Sequence, residues 1–313
     1  MRQVLNKLRR KHGAEKKLLN NLAREVSKLK QLNGKLLIRN LVSGGMLDRI
    51  SDAEFSVNSQ FGEDGIIQYL IRQVPGIPNS FIEFGVEDYT EANTRFLLEN
   101  DNWRGLILDC DTAAMKAIRK DELFWRHDLT AVGAFVNCEN INKLFAEHGF
   151  VDEVGILSID IDGNDYWVWE SISIVRPSVV IVEYNSTFGP DHKVTIPYDP
   201  CFSRREAHSS MLYWGCSLNA LCDLAERKGY SLVGCESSGI NAFFVRSDRL
   251  GSLRPLSAAE AFVQSKIRQS RDERNNLTFL DFEQSQVAIK NLPLVDVRSG
   301  SMTCLANLME ANG

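Results

Sequence analysis

The sequence contains no CxxC pair, no run of about 18 apolar residues and no GxGxxG loop, and each absence removes a class of protein. Its seven cysteines, at positions 110, 138, 201, 216, 222, 235 and 304, are odd in number and scattered. That argues against a disulfide framework or a structural zinc and for reduced thiols. Without a long apolar run no membrane span is expected. The basic N-terminus also lacks the apolar core and cleavage site of a signal peptide, so a cytoplasmic location is expected. No P-loop, convincing Ser/His/Asp spacing or complete calcium loop is present, which leaves hydrolysis by a nucleophilic side chain without a carrier. The missing GxGxxG disfavours a dinucleotide, whose pyrophosphate wants backbone donors close to it.

What is present is ordinary globular composition, with 44% apolar and 25% charged residues in 313. That length suits one large domain with appendages. The net charge of −5 conceals an asymmetry. Residues 1–40 hold 12 Lys/Arg against Glu15 and Glu25, or +10, which leaves −15 on the remainder. An acidic body argues against nucleic acid as a partner, because phosphate backbones demand a basic surface. Within the basic segment Leu18, Leu22, Val26, Leu29 and Leu36 recur at helical spacing between lysines and arginines, which predicts an amphipathic helix over 5–37. Gly13 weakens its middle, and Ser43-Gly44-Gly45 supplies a hinge. Three uses remain open for it: packing on its own domain or pairing with a second copy of the chain in a homo-oligomer, docking at the inner membrane or on an acidic partner, and RNA contact. The expected organisation is a helix and hinge at 1–45, a central domain at 46–250 and a C-terminal helical extension at 251–313.

The central domain repeats one unit. Ser80–Gly85, Gly105–Asp109, Gly155–Asp160 and Ser178–Glu183 are short apolar runs ending in a carboxylate or glycine. Helical segments at 91–100, 112–120 and 167–174 separate them. The rhythm predicts an α/β fold with a doubly wound, mostly parallel sheet. Tyr230–Val233 and Ala242–Val245 would close it as an antiparallel C-terminal edge. Ligands bind beyond the carboxyl ends of such strands, where Glu83, Asp109, Asp160 and Glu183 fall. About 26 residues separate Glu83 from Asp109, the spacing that delivers two carboxylates across a nucleoside-binding switch point.

Three segments resemble the FkbM-type methyltransferases, a Rossmann-like class I family associated with bacterial surface polysaccharides. They are Ser59-Gln60-Phe61-Gly62-Glu63-Asp64; Phe81–Leu97 with Asn102-Trp103-Arg104-Gly105; and Leu157–Trp167 followed by Val182-Glu183-Tyr184-Asn185. The resemblance implies S-adenosylmethionine as methyl donor and a hydroxyl of a sugar or glycan as acceptor. It also implies that Glu83, Gly85 and Glu87 lie near the donor's amino-acid end, Asp109 on its ribose and Asp128 near its adenine, with Gln60 in the same binding set.

Asp160, Asp162, Asn164 and Asp165 crowd into six residues, with Glu183 and Asn185 ending the next strand. The pattern is similar to metal-dependent O-methyltransferases. It makes Asp160, Asp162, Glu183 and Asn185 candidate ligands for Mg2+ or Mn2+, since oxygen donors without His or Cys select hard cations. The alternative is a helix cap by Asp162 or Asn164. Asp160, Asp162 or His208 would be the general base on the acceptor hydroxyl. Trp167, Trp169 and Trp214 are either core or a sugar-stacking platform. Two competing functions remain: a metal-dependent enzyme acting on a nucleotide sugar, and a non-catalytic interaction protein.

Overall fold

The structure is a computed structural model that describes residues 2–310, and its contacts divide the chain into two units, Met1–Met46 and Leu47–Gly313. The first unit is one helix, α1 (Arg2–Gly44), longer than its apolar periodicity predicts and continuous through Gly13 and Gly34. Each glycine costs such a helix about 1 kcal/mol relative to alanine. Among the described residues no helix is long and apolar enough to cross a membrane.

The second unit is built on a seven-stranded sheet. Its strands are β1 (Ser80–Phe84), β2 (Arg104–Asp109), β3 (Leu129–Gly133), β4 (Asp152–Ile159), β5 (Val175–Glu183), β7 (Tyr230–Cys235) and β8 (Asn241–Arg246). The strand order is β3-β2-β1-β4-β5-β8-β7. The first five are parallel, and β8 runs antiparallel to both neighbours. Val179–Val182 are fully buried, as expected of a central strand covered on both faces. One face packs Ile82, Phe84, Leu106, Leu157, Val180 and Val182 against the inner sides of helices Ile141–Glu147, Asp165–Ser171 and Leu218–Lys228. The last of these starts where the Ser217 side chain accepts from the Ala220 amide and stops at Gly229, whose φ of 81° suits a residue without a Cβ. Trp169 lies in this core against Phe244, with ring centroids 5.1 Å apart, and is no sugar platform.

A second, three-stranded antiparallel sheet joins β6 (Val194–Thr195) to β9 (Leu294–Asp296) and β10 (Met302–Thr303). Residues beyond 250 therefore add strands as well as helices, and Ile289, Leu294 and Leu305 share an apolar cluster with Phe188, Val194 and Leu212. In the large sheet the chain winds outward from β1 in one direction and from β4 in the other. The loops after β1 and β4 diverge there and leave a crevice at the carboxyl ends.

Candidate active site

That crevice is a cleft of about 560 Å³, lined from the β1–β3 side by Gly85, Glu87, Asp109 and Ala134–Val136 and from the β4–β5 side by Asp160–Asp162, Asn164, Glu183 and Arg204. Gln60 and Phe61 form part of its rim. The motif Ser59–Asp64 positions them. The buried Asp64 carboxylate accepts from the Val57, Asn58 and Ser59 amides at 2.7, 2.7 and 2.8 Å, while the Ser59 hydroxyl accepts from the Asp64 amide.

After β1 the chain must turn against the end of β4. Gly85 has φ 81°, and a Cβ there would lie 1.4 Å from the Asp160 carbonyl oxygen, so no other residue fits. Asp109, at the end of β2, holds the turn open: its two oxygens accept from the Glu87 and Asp111 amides at 2.8 and 2.7 Å. Each oxygen keeps lone-pair capacity for a further donor, and Asp109 lines the cleft.

Glu83 lies elsewhere. It is 5% exposed and lines no part of the cleft; its oxygens accept from the Asn93 and Thr94 amides and the Thr94 hydroxyl. Burial pushes its carboxyl up to about 7. Glu83 thus caps the segment before Arg95 and does not line the cleft where the donor was expected. Asp128 is corrected for a different reason. It immediately precedes β3, and its carbonyl accepts from the Gly105 amide at the start of β2, so it sits at the amino end of the sheet with its side chain 74% exposed. The residues that follow β3 into the cleft are Ala134, Phe135 and Val136.

At the β4 end the crowded carboxylates part company. Asp165 is fully buried and turns back to accept from the Ile161 and Gly163 amides at 2.9 Å each, and burial raises its carboxyl to about 6. Asp162 is 61% exposed and paired with Arg204 at 2.6 Å. Asn185 is consumed by its loop: it accepts from the Thr187 amide and donates to the Leu212 and Trp214 carbonyls. Among the described residues no group of three or more His, Cys, Asp or Glu side chains is placed to hold a metal ion. The expected ligand set Asp160, Asp162, Glu183 and Asn185 therefore does not fit a cation. What it leaves is a pair. Asp160 and Glu183 lie side by side at the cleft, and burial followed by the repulsion of neighbouring carboxylates drives both well above the ordinary carboxylic range.

His208 does not reach the cleft; its Nδ1 lies 2.7 Å from the Ser210 hydroxyl. From the same segment Arg204 enters instead. Its Nε donates to the Met211 carbonyl at 2.8 Å, its guanidinium lies 4.5 Å from the Trp214 ring centroid, and its buried Nη2 has no partner. Trp214 is thereby covered by the arginine, and the Trp167 indole donates to the Ile196 carbonyl, so neither offers a free sugar platform. Sequence reasoning also missed Phe202, Asn241, Ile267 and Gln269, all at the cleft. The last two come from a polar, aperiodic segment held by backbone bonds from Ser265 to the Ser186 hydroxyl and from Lys266 to the Ser238 carbonyl.

Five parallel strands and an antiparallel closing pair around a carboxylate-lined crevice define the Rossmann-like fold of class I methyltransferases. The chain belongs to the FkbM methyltransferase family: the model described as the methyltransferase FkbM domain matches residues 54–214, just over half of it. Solved structures of similar fold include the N-terminal domain of EvdMO1 with S-adenosylhomocysteine bound, at 10% identity and TM-score 0.37, covering 58% of this chain and 79% of that one. An O-methyltransferase from Bacillus cereus in complex with S-adenosylhomocysteine is 14% identical at TM-score 0.39, covering 67% and 88%. A putative O-methyltransferase from Klebsiella pneumoniae is 12% identical at TM-score 0.37, covering 67% and 87%. No curated protein matches the chain.

Proposed function

We propose that the protein transfers a methyl group from S-adenosylmethionine to a hydroxyl of a sugar or glycan, without a metal ion. The observation that carries the acceptor class is a set of unsatisfied atoms. Of the six buried side-chain N or O atoms that lack a partner among the described residues, four line this cleft: Glu183 Oε2, Asn164 Oδ1, Asn241 Oδ1 and Arg204 Nη2. The two amides are fixed in orientation, because Asn164 donates its NH2 to the Asp199 carbonyl and Asn241 donates to Glu63. All four stand on the β4–β5–β8 side, away from Asp109. A buried unsatisfied polar group costs about 1–3 kcal/mol, so the site is built for a ligand that both donates and accepts at several points. A polyhydroxylated ring does so, and an apolar or singly hydroxylated acceptor does not.

In this arrangement Asp109 takes the ribose hydroxyls, and Gly85 lets the turn approach the donor. S-adenosylmethionine supplies a methyl group on a cationic sulfur, a charge that suits the acidic wall of Glu87, Glu91 and Asp109. Asp160 and Glu183, whose carboxyls burial raises, stand where one of them, ionised, receives the acceptor's hydroxyl proton as the oxygen becomes nucleophilic. Arg204 and the two asparagines orient the ring, which confers the in-line geometry methyl transfer requires.

The test is transfer of radiolabelled methyl groups to a panel of free sugars, nucleotide sugars and phenols, with calorimetric titration of S-adenosylhomocysteine. Methylation of hydroxylated rings, weakened in Arg204→Met through KM, is expected. Binding of UDP in place of S-adenosylhomocysteine, or labelling of phenols alone, would overturn the proposal.

A further inference from the structure

The longest helix of the molecule takes no part in the cleft, and its described side chains leave a continuous apolar stripe in solvent. Leu19, Leu22, Val26, Leu29 and Leu36 are 65%, 59%, 48%, 64% and 48% exposed. Placed on a heptad, Leu19, Val26 and Asn33 fall at a positions and Leu22, Leu29 and Leu36 at d positions. Leu18 and Leu32, 69% and 57% exposed, fall at g and widen this seam on one side.

We propose that α1 pairs with α1 of a second copy of the chain as a parallel, in-register, two-stranded coiled coil. Three features select this occupant. A β-branched residue at a with leucine at d favours two parallel strands, and a single asparagine at a, here Asn33, fixes register by bonding its own copy across the seam. In that register Glu25 at g faces Lys30 at e of the other helix, an opposite-charge pair on each flank. Glu25 already bonds Lys28 of its own helix at 2.6 Å, and its carboxylate has capacity for a second cation. A membrane surface is the poorer match. Residues 1–46 contain no Trp, Tyr or Phe to anchor at a lipid interface, and Asn33 would be left unpaired among acyl chains. The lysines outside the seam repel between copies, so salt strengthens the dimer, whereas it weakens attachment to anionic lipid.

The test is sedimentation velocity of the full chain at tens of micromolar, in low and high salt, with helix content followed by circular dichroism. A species of about twice the 35.3 kDa chain mass, more populated at high salt and converted to monomer by Leu22→Glu with Leu29→Glu, is expected. Glu25→Lys and Lys30→Glu should each weaken it by about threefold to tenfold, and the two together should restore it. Failure of that rescue rules out the parallel register. A dimer that survives the leucine changes is built elsewhere and overturns the proposal. So does a parent chain that stays monomeric yet co-sediments with phosphatidylserine vesicles in a salt-sensitive way.

Discussion

Replacing Glu83 by glutamine separates a carboxylate that ties down a loop from one that touches the methyl donor. In the structure Glu83 faces three donors, the Asn93 and Thr94 amides at 2.8 and 3.0 Å and the Thr94 hydroxyl. Glutamine keeps the shape but points an NH2 at a site built for an acceptor, so at least one buried amide loses its partner. That costs about 1–3 kcal/mol. On a domain of this size it lowers Tm by roughly 3–9 °C. The pH dependence gives a second, independent sign. Burial raises the folded carboxyl to about 7 from an ordinary 4.5, so between those values the folded state binds a proton that the unfolded chain has released. The group's contribution to stability is therefore full below 4.5 and is lost as pH rises through about 7, a slope that glutamine cannot show. The gap between parent and variant should be wider near about pH 5 than near about pH 8, where the contribution has been lost. Thermal unfolding by circular dichroism at both values, with S-adenosylhomocysteine titrated alongside, decides the matter. An unchanged Tm with affinity reduced more than about tenfold would place Glu83 on the ligand and refute the reasoning.

Asp109→Ala removes the carboxylate proposed to accept the donor's ribose hydroxyls, and should weaken S-adenosylhomocysteine by about a hundredfold in calorimetry; a change under about threefold would disprove the ribose contact. Gly85→Ala puts a methyl 1.4 Å from the Asp160 carbonyl at a positive φ, and should give an insoluble or grossly destabilised protein; a soluble variant with parental Tm would contradict the packing of β1 on β4. Because the Asp160–Glu183 carboxyls are raised, kcat/KM should fall as pH drops through their titration, and Asp160→Asn should flatten the profile. Raised folded values also mean that the pair destabilises the fold as pH rises, so the same variant should be more stable than the parent in alkali. Since Asp162 is paired with Arg204 and Asn185 is engaged by its own loop, methyl transfer should be indifferent to EDTA and to added Mg2+ or Mn2+; a chelator-sensitive rate would show that a cation assembles there.

The large sheet was legible because strands buried on both faces read as unbroken apolar runs, and β1, β2, β4 and β5 each announce themselves in that way. β3 does not. Leu129-Thr-Ala-Val-Gly is short and only weakly apolar, so the sequence does not show that Asp128, placed near the adenine by the resemblance, precedes a strand and lies at the amino end of the sheet. The helix read from residue 91 begins only at Arg95, because the amides of Asn93 and Thr94 are taken by Glu83, a contact ten residues back that periodicity does not encode. The same limit governs the acidic cluster. Spacing shows that carboxylates are near one another, while their direction depends on which backbone amides are left without a helical or strand partner. Asp64, Glu83 and Asp165 meet such amides and are drawn away from the ligand. Asp109 meets two and still faces the cleft. Asp160 and Glu183 line the cleft with both carboxyls raised by burial. Arg204 and Gln269 reach the cleft through turns far along the chain, so no local pattern marks them. A carboxylate at a strand end is thus a candidate for chemistry only after the donors of its own loop have been satisfied by something else.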